Sequence, residues 1–252
     1  MQLKSASARL IAALVLFFAV GARAETTNAL SDAEIQGRQL AQQLCDTKPN
    51  QNFTSSGTLQ IRDGKGSRTN FIFHGSVDVA ESDWSSSYTV ILRPDFFGKS
   101  SFEVCHKVGR TNQYNLKTVG SCLIGEITGK ELFQPFASSD FWLCDLGLEF
   151  LHWPVQKVLP KTTSLKRGRE YTLLESTNPT PPTNSYSRVL SWIDKESGGM
   201  LAAEAYDAKG KLLKEFEPKS FKKVNGQWLL QEMEIRNVQT GSRTRLEFDL
   251  KN

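Results

Sequence analysis

The feature that most constrains this chain is a two-residue alternation of apolar and polar side chains that recurs along much of its 252 residues. It is cleanest near the C-terminus. There Thr244, Leu246, Phe248 and Leu250 share one face of an expected strand, and Arg243, Arg245, Glu247 and Asp249 share the other. Successive side chains of a strand point to opposite faces, so such a segment belongs in a sheet with one wet side, most simply an antiparallel one. The same period marks 59–62, 71–73, 88–92, 102–105 and 114–118, and later 170–175, 186–193, 201–206, 212–216 and 227–235. Turn chemistry separates the runs: Asp63-Gly64-Lys65-Gly66, Asp207-Ala208-Lys209-Gly210, Asn225-Gly226 and Gln239-Thr240-Gly241-Ser242. Asn225-Gly226 is the strongest hairpin signal among them. About ten or eleven strands in up-and-down order must manage their edges, and the usual way is to curl into a barrel or half-barrel. The expected fold is therefore mainly β with a few helices: an unclosed antiparallel barrel whose apolar face is enclosed and whose mouth helices can cover.

Two segments break the alternation. Leu30-Ser31-Asp32-Ala33-Glu34-Ile35 reads as a capping box with a hydrophobic staple, and it predicts a helix that ends near Cys45, before Thr47-Lys48-Pro49-Asn50. In the middle of the chain, Ser139 and Asp140 precede a run rich in large apolar residues. Phe141, Trp142, Leu146, Leu148, Phe150 and Trp153 lie in it, Gly147 interrupts it, and Pro154 closes it. Ser139 is a good N-cap and Asp140 suits the positive end of a helix. A helix apolar nearly all round must be covered on more than one side. It reads either as an ordinary core helix or as a lid over the mouth of the sheet, with Phe141, Trp142, Leu146, Phe150 and Trp153 as the lid candidates.

Ahead of all this stands a secretory signal. Lys4 and Arg9 precede an apolar run from Leu10 to Val20, and Ala22-Arg23-Ala24 offers small residues for cleavage. The run is shorter than the roughly 20 residues a membrane helix needs. Residues 1–24 are thus expected to be removed, leaving one domain over 25–252, soluble in the bacterial periplasm. The first cysteine is Cys45, so no lipid anchor is expected at the cut. Of 31 basic side chains, Lys4, Arg9 and Arg23 leave with the signal, and the remainder nearly balance 27 acidic ones. Such a chain has no electrostatic reason to bind nucleic acid. The compartment permits disulfides. The spacings of Cys45, Cys105, Cys122 and Cys144 match no redox or zinc pattern. Cys105 with Cys122 would join neighbouring strands and leave Cys45 for Cys144; four buried thiols are the alternative.

No catalytic set emerges. His74, His106 and His152 are far apart in sequence and from any nucleophile motif. Gly125-Glu126-Ile127-Thr128-Gly129-Lys130-Glu131 has one residue too few for a phosphate loop, and glutamate where the metal-binding hydroxyl belongs. Nucleophile-elbow, zinc-helix and calcium-loop motifs are missing. No cofactor, metal or enzymatic activity is expected.

Several short blocks occur in a telling order: Ser138-Ser139-Asp140-Phe141 with Asp145-Leu146, then Tyr186-Ser187-Arg188 leading to Trp192-Ile193-Asp194, then Tyr206-Asp207-Ala208-Lys209-Gly210, then Gly241-Ser242-Arg243-Thr244. With the capped helix and the two meanders, the chain resembles the LolA/LolB-like family, in particular its outer-membrane lipoprotein-sorting branch. The resemblance implies an unclosed barrel covered by helices, with an apolar cavity for lipid or lipoprotein acyl chains. It implies as partners an inner-membrane ABC exporter and an outer-membrane acceptor. It also leaves a second reading, an envelope-stress sensor or protein-interaction module on the same fold. Established carriers place a functional arginine near their first strands, for which Arg62 and Arg68 are the candidates here. Acyl chains gain about 0.8 kcal/mol per buried CH₂, so a carrier needs a dry cavity and a movable cover. By alternation the cavity candidates are Phe71, Phe73, Val90, Leu92, Phe102, Val104, Leu190, Trp192, Leu246 and Phe248; the alternative is that they fill a dry core.

Overall fold

The computed structural model describes residues 30–92, 98–118, 123–161, 165–224 and 227–250. The expected signal segment lies outside them. Among the described residues no helix is long and apolar enough to cross a membrane.

A helix, α1 (Asp32–Cys45), comes first, followed by a meander of six strands: β1 (Phe53–Arg62), β2 (Arg68–Val79), β3 (Asp83–Ile91), β4 (Lys99–Lys107), β5 (Gln113–Thr118) and β6 (Leu123–Glu126). After a segment with little strand, 127–154, a second meander returns: β7 (Val155–Leu159), β8 (Tyr171–Thr177), β9 (Arg188–Asp194), β10 (Met200–Tyr206), β11 (Leu212–Val224), β12 (Gln227–Asn237) and β13 (Arg243–Phe248). β13 pairs with β1, so both meanders join in one 13-stranded sheet with β6 at one edge and β7 at the other. These edge strands are the two that the alternation did not reveal. At four and five residues they are too short to show a period. Val224 pairs with Gln227 across the expected Asn225-Gly226 hairpin, whose two turn residues lie outside the described set.

The sheet curls without closing. Tyr114 on β5, Phe102 and Val104 on β4, Leu59 on β1, Leu246 on β13, Ile235 on β12 and Leu174 on β8 all bury into one core. Side chains from strands so far apart in sheet order meet only if the sheet wraps around them. The segment 127–154 runs from the β6 edge to the β7 edge and fills the remaining side of that core with Leu132, Phe136, Phe141, Leu143, Phe150 and Leu151.

α1 starts as its sequence dictates. The Ser31 hydroxyl accepts from the Glu34 amide at 3.4 Å, and the Glu34 carboxylate accepts from the Ser31 amide at 2.9 Å. Leu30 and Ile35 stay largely exposed. The helix lies on the β7 edge: a Cβ on Gly37 would sit 2.4 Å from the Lys157 backbone nitrogen, so only glycine allows the approach. An exposed strand edge is a liability for aggregation, and α1 covers this one.

Two expectations need correction. Leu190 and Trp192 do not face the main core. They belong to a second, outer cluster with Tyr171, Leu173 and Leu201, where Lys166 lies 3.9 Å above the Trp192 ring. Their neighbours Val189 and Ile193 face inward. β9 is apolar on both faces, so alternation there does not tell which face is enclosed. Nor is 139–153 one helix. Residues 134–143 form a tight hairpin with a Pro135–Trp142 bridge, followed by one helical turn, α2 (Leu143–Leu146), then Leu148 at φ 49°, then a 3₁₀ turn at Glu149–His152. The N-cap of α2 is Trp142, whose amide donates to Asp145 at 2.7 Å, and Ser139 caps no helix. Gly147 ends α2, and the Tyr114 ring is packed so close that a Cβ there would meet it at 2.4 Å. Cys122 lies outside the described residues, and the proposed Cys105–Cys122 pair with it. Cys45 and Cys144 are free thiols, Cys144 fully buried and Cys45 Sγ 3.7 Å from His152 Nδ1.

Candidate functional site

The crossing segment 127–154 roofs an apolar cavity of about 220 Å³. Its position follows from side-chain size. The β1–β5 half of the curl carries large residues that fill their own space: Phe102 stacks on Tyr114 at 5.9 Å, and Phe73 meets Phe248 edge-on at 5.8 Å. The β9–β13 half presents Val189, Ala203 and Ala205, which are too short to reach the roof. The void opens above them, bounded by Phe216, Met233 and Ile235 on the sheet and by Phe141, Leu146 and Phe150 above.

None of the ten residues selected by alternation lines this cavity. Phe73, Val90, Phe102, Val104 and Leu246 are close-packed core, while Phe71, Leu92 and Phe248 pack half-buried against it. Three of the lid candidates, Phe141, Leu146 and Phe150, do line it. Trp142 and Trp153 pack beside it. The usable sequence signal was the run of small residues Ala202-Ala203-Glu204-Ala205, which leaves room where the other strands leave none.

One wall of the cavity is polar, and there the sequence blocks converge. Asp140, at the tip of the 134–143 hairpin, accepts from Ser242 at 2.5 Å and from Thr244 at 2.9 Å, and its amide donates to Thr244 at 2.8 Å. The tip is strained: Ala137 and Ser138 have φ of 50° and 60°, a left-handed region costly for residues with a side chain. The three bonds from Asp140 hold it there. Asp145 accepts from the Trp142 amide, from the Tyr186 hydroxyl at 3.2 Å and from Lys214 at 3.5 Å. The Lys214 ammonium also donates to the Asp140 carbonyl at 2.6 Å and sits 3.7 Å above the Trp142 ring, which itself stacks on Tyr186 at 4.5 Å. Lys214 is 2 % exposed. Burial pushes the Asp145 carboxyl up and the Lys214 ammonium down from their ordinary values, and each partner's charge opposes the other's shift. Sequence reasoning missed Lys214, because nothing in Lys211-Leu212-Leu213-Lys214 distinguishes the one lysine whose side chain enters the core.

The far end of the roof is held as well. Tyr88 donates to the Leu146 carbonyl at 3.1 Å, Asn112 to the Gly147 carbonyl at 2.9 Å, and Gln156 to the carbonyls of Phe150 and Trp153 at 2.9 and 3.1 Å. His106 supports Asn112, with its Nδ1 2.9 Å from the Asn112 amide oxygen and its ring stacked on Trp84. Among the described residues no group of three or more His, Cys, Asp or Glu is placed to hold a metal ion. Arg62 and Arg68 are exposed and lie on the outer face of the sheet, away from the cavity.

A family model described as that of an uncharacterized protein matches residues 85–250, more than half of the chain. The chain belongs to that family. No curated protein matches its sequence. Solved structures share its fold over most of its length. A DUF1329 family protein from Desulfovibrio piger superposes with a TM-score of 0.68 at 22% identity, over 87% of this chain and 92% of that one. A domain from Vibrio parahaemolyticus, described as an outer membrane lipoprotein-sorting protein domain, gives 0.67 at 20% identity, over 86% and 92%. A LolA superfamily protein from Nitrosomonas europaea gives 0.59 at 14% identity, over 88% and 95%. These likenesses establish the LolA-like fold, as the sequence blocks had suggested.

Proposed function

We propose that this protein is an envelope carrier that holds one apolar chain, of a lipid or a lipoprotein, in the cavity beneath the crossing segment. The observation that carries the reading is the cavity itself: an apolar space left by short side chains and roofed by a separate segment pinned at both ends. Its volume is below the roughly 300–1,000 Å³ of common small-molecule sites. It therefore suits a short stretch of chain, and a longer one enters only if the roof lifts. The buried Asp145–Lys214 pair beside it gives the site a polar corner against which a chain's polar end can be oriented. The leader-like residues 1–24 support delivery to the periplasm. An inner-membrane exporter and an outer-membrane acceptor follow as partners if the cargo is a lipoprotein.

The test is binding of a fluorescent fatty acid by protein stripped of lipid, alongside mass spectrometry of whatever co-purifies. Ala205→Leu fills the cavity from its floor and is expected to abolish probe binding while leaving the melting temperature at or above the original. If the filled variant binds the probe as well as the parent does, the cavity is not the binding site. If the parent binds none and carries no lipid, the carrier reading is lost.

A further inference from the structure

Four arginines form a single row across the outer face of the sheet. Cross-strand pairing sets Arg68 of β2 opposite Arg62 of β1, Arg62 opposite Arg243 of β13, and Arg243 opposite Arg236 of β12. At the usual strand spacing the row is about 15 Å wide. Their sequence neighbours Ile61, Thr244 and Ile235 face the core, so all four side chains point outward. Like charges directly opposite one another weaken a sheet, and here three such pairs follow in succession.

The adjacent row shows what a balanced surface looks like in this protein. Arg245 lies between Glu232 at 2.7 Å and Glu234 at 3.0 Å, and Lys219 between Glu217 at 2.9 Å and Glu234 at 3.4 Å. In the arginine row only Arg236 has a carboxylate within ion-pair distance among the described residues, Glu215 at 3.7 Å. Asp63, next to Arg62, is occupied by the amides of Lys65 and Ser67 in its own turn. Between Arg62, Arg68, Arg243 and Arg245 lies a shallow hollow of about 110 Å³ with Glu234 at its edge.

We infer that this row is a docking surface for an anionic phospholipid bilayer. Guanidinium groups bind phosphate through paired N–H donors. A specific protein interface needs an apolar core with aromatic anchors. This row offers none: the exposed apolar residue on the same face of β2 is the single Ile72, four pairing positions away. A run of charge without anchors fits a sheet of phosphates and not the surface of another protein. The inference does not depend on what the cavity holds, and its test uses no cargo.

The test is co-sedimentation of the purified protein with vesicles of phosphatidylcholine alone and of phosphatidylcholine with phosphatidylglycerol. Binding is expected to the anionic vesicles only, and to be lost in high salt. Each arginine near such a surface contributes about fivefold in affinity, so Arg62→Gln with Arg243→Gln is expected to weaken binding about 25-fold. Lys219→Gln, taken from the neutralised row and outside the hollow, is expected to leave it unchanged, and Arg62→Lys to retain most of it. Circular dichroism reports that each variant is folded. Equal binding to neutral and anionic vesicles, no vesicle binding at all (as for a site that takes an acidic protein), or equal losses from Arg62→Gln and Lys219→Gln would overturn the inference.

Discussion

Thr244 bonds twice to Asp140: its hydroxyl donates to the carboxylate at 2.9 Å and accepts the backbone amide at 2.8 Å. The two residues are 104 positions apart. Asp140 sits at a strained hairpin tip, and Thr244 sits fully buried at the start of β13, where that strand meets β1. This contact fastens the roof to the centre of the sheet. Thr244→Val keeps the shape and removes both bonds. Since a buried hydrogen bond to a charged group is worth about 1.5–3 kcal/mol, the variant should lose about that much stability in urea titration. Thr244→Ser, which keeps the hydroxyl, should lose less. A valine variant as stable as the parent would show that the roof is held elsewhere.

Lys214 and Asp145 form a buried pair whose two charges burial disfavours. Removing one partner of such a pair typically costs about 3–5 kcal/mol, because the other charge is left without compensation. Lys214→Met and Asp145→Leu should each destabilise the protein by that order. The double variant should recover much of the loss, since apolar groups of similar volume replace buried ion pairs well. A double-mutant cycle from equilibrium unfolding measures the coupling. Additive losses would mean that the pair acts only through its separate contacts with Trp142 and Tyr186.

His106 makes stability depend on pH. Burial against the Trp84 ring holds its imidazole down, from an ordinary value of 6.5 to about 4, despite its bond to Asn112. Asn112 Oδ1 can only accept, so Nδ1 carries the proton and Nε2 is left to face the Ser86 hydroxyl at 3.4 Å. Between the two values the unfolded chain binds the proton and the folded chain does not. Stability from this residue is therefore complete above pH 6.5 and drains away as pH falls toward 4. Allowing for its partial exposure, the loss is about 2 kcal/mol. His106→Gln should flatten the acid limb of a stability–pH profile through this window. An unchanged limb would assign the acid sensitivity to other groups, such as His152, which burial also holds low.

Strands were legible in the sequence wherever one face is wet, since there the period of two is clean. Legibility failed at β9, which is buried on both faces, and Leu190 and Trp192 were assigned to the wrong one. It failed at 139–153, where Leu148 in the left-handed region breaks what reads as a continuous apolar helix. The pinning of the roof was present as sequence blocks, but their meaning was not. Asp140, Asp145, Tyr186, Ser242 and Thr244 become one network only when β13 returns to β1, a long-range register that no local pattern encodes. The void is hidden from the sequence for a related reason: apolar alternation marks the enclosed face, whereas the void depends on where small side chains leave that face unfilled.

The roof must yield if a long chain is to enter, and the two ends of the roof are held differently. Asp140 and Lys214 hold one end by charged contacts within the core; Tyr88, Asn112 and Gln156 hold the other by neutral bonds to the carbonyls of Leu146, Gly147, Phe150 and Trp153. Neutral bonds are individually the weaker, so that end should open first, beginning at the Tyr88 bond to Leu146. Tyr88→Phe keeps the ring against the cavity and deletes that bond, worth about 1 kcal/mol. If opening limits exchange, association and release of a fluorescent fatty acid should both accelerate, by about fivefold, with little change in affinity. Trp142 supplies an internal reporter, because it stacks on Tyr186 directly beneath Lys214 and would lose that stack if the other end opened. Lipid binding should therefore leave Trp142 emission nearly constant in the parent, and should change it in Thr244→Val, where the core latch is loosened. Stopped-flow traces and Trp142→Phe difference spectra read both. Should Tyr88→Phe alter affinity while leaving both rates as they were, the bond shapes the site and the roof does not gate it.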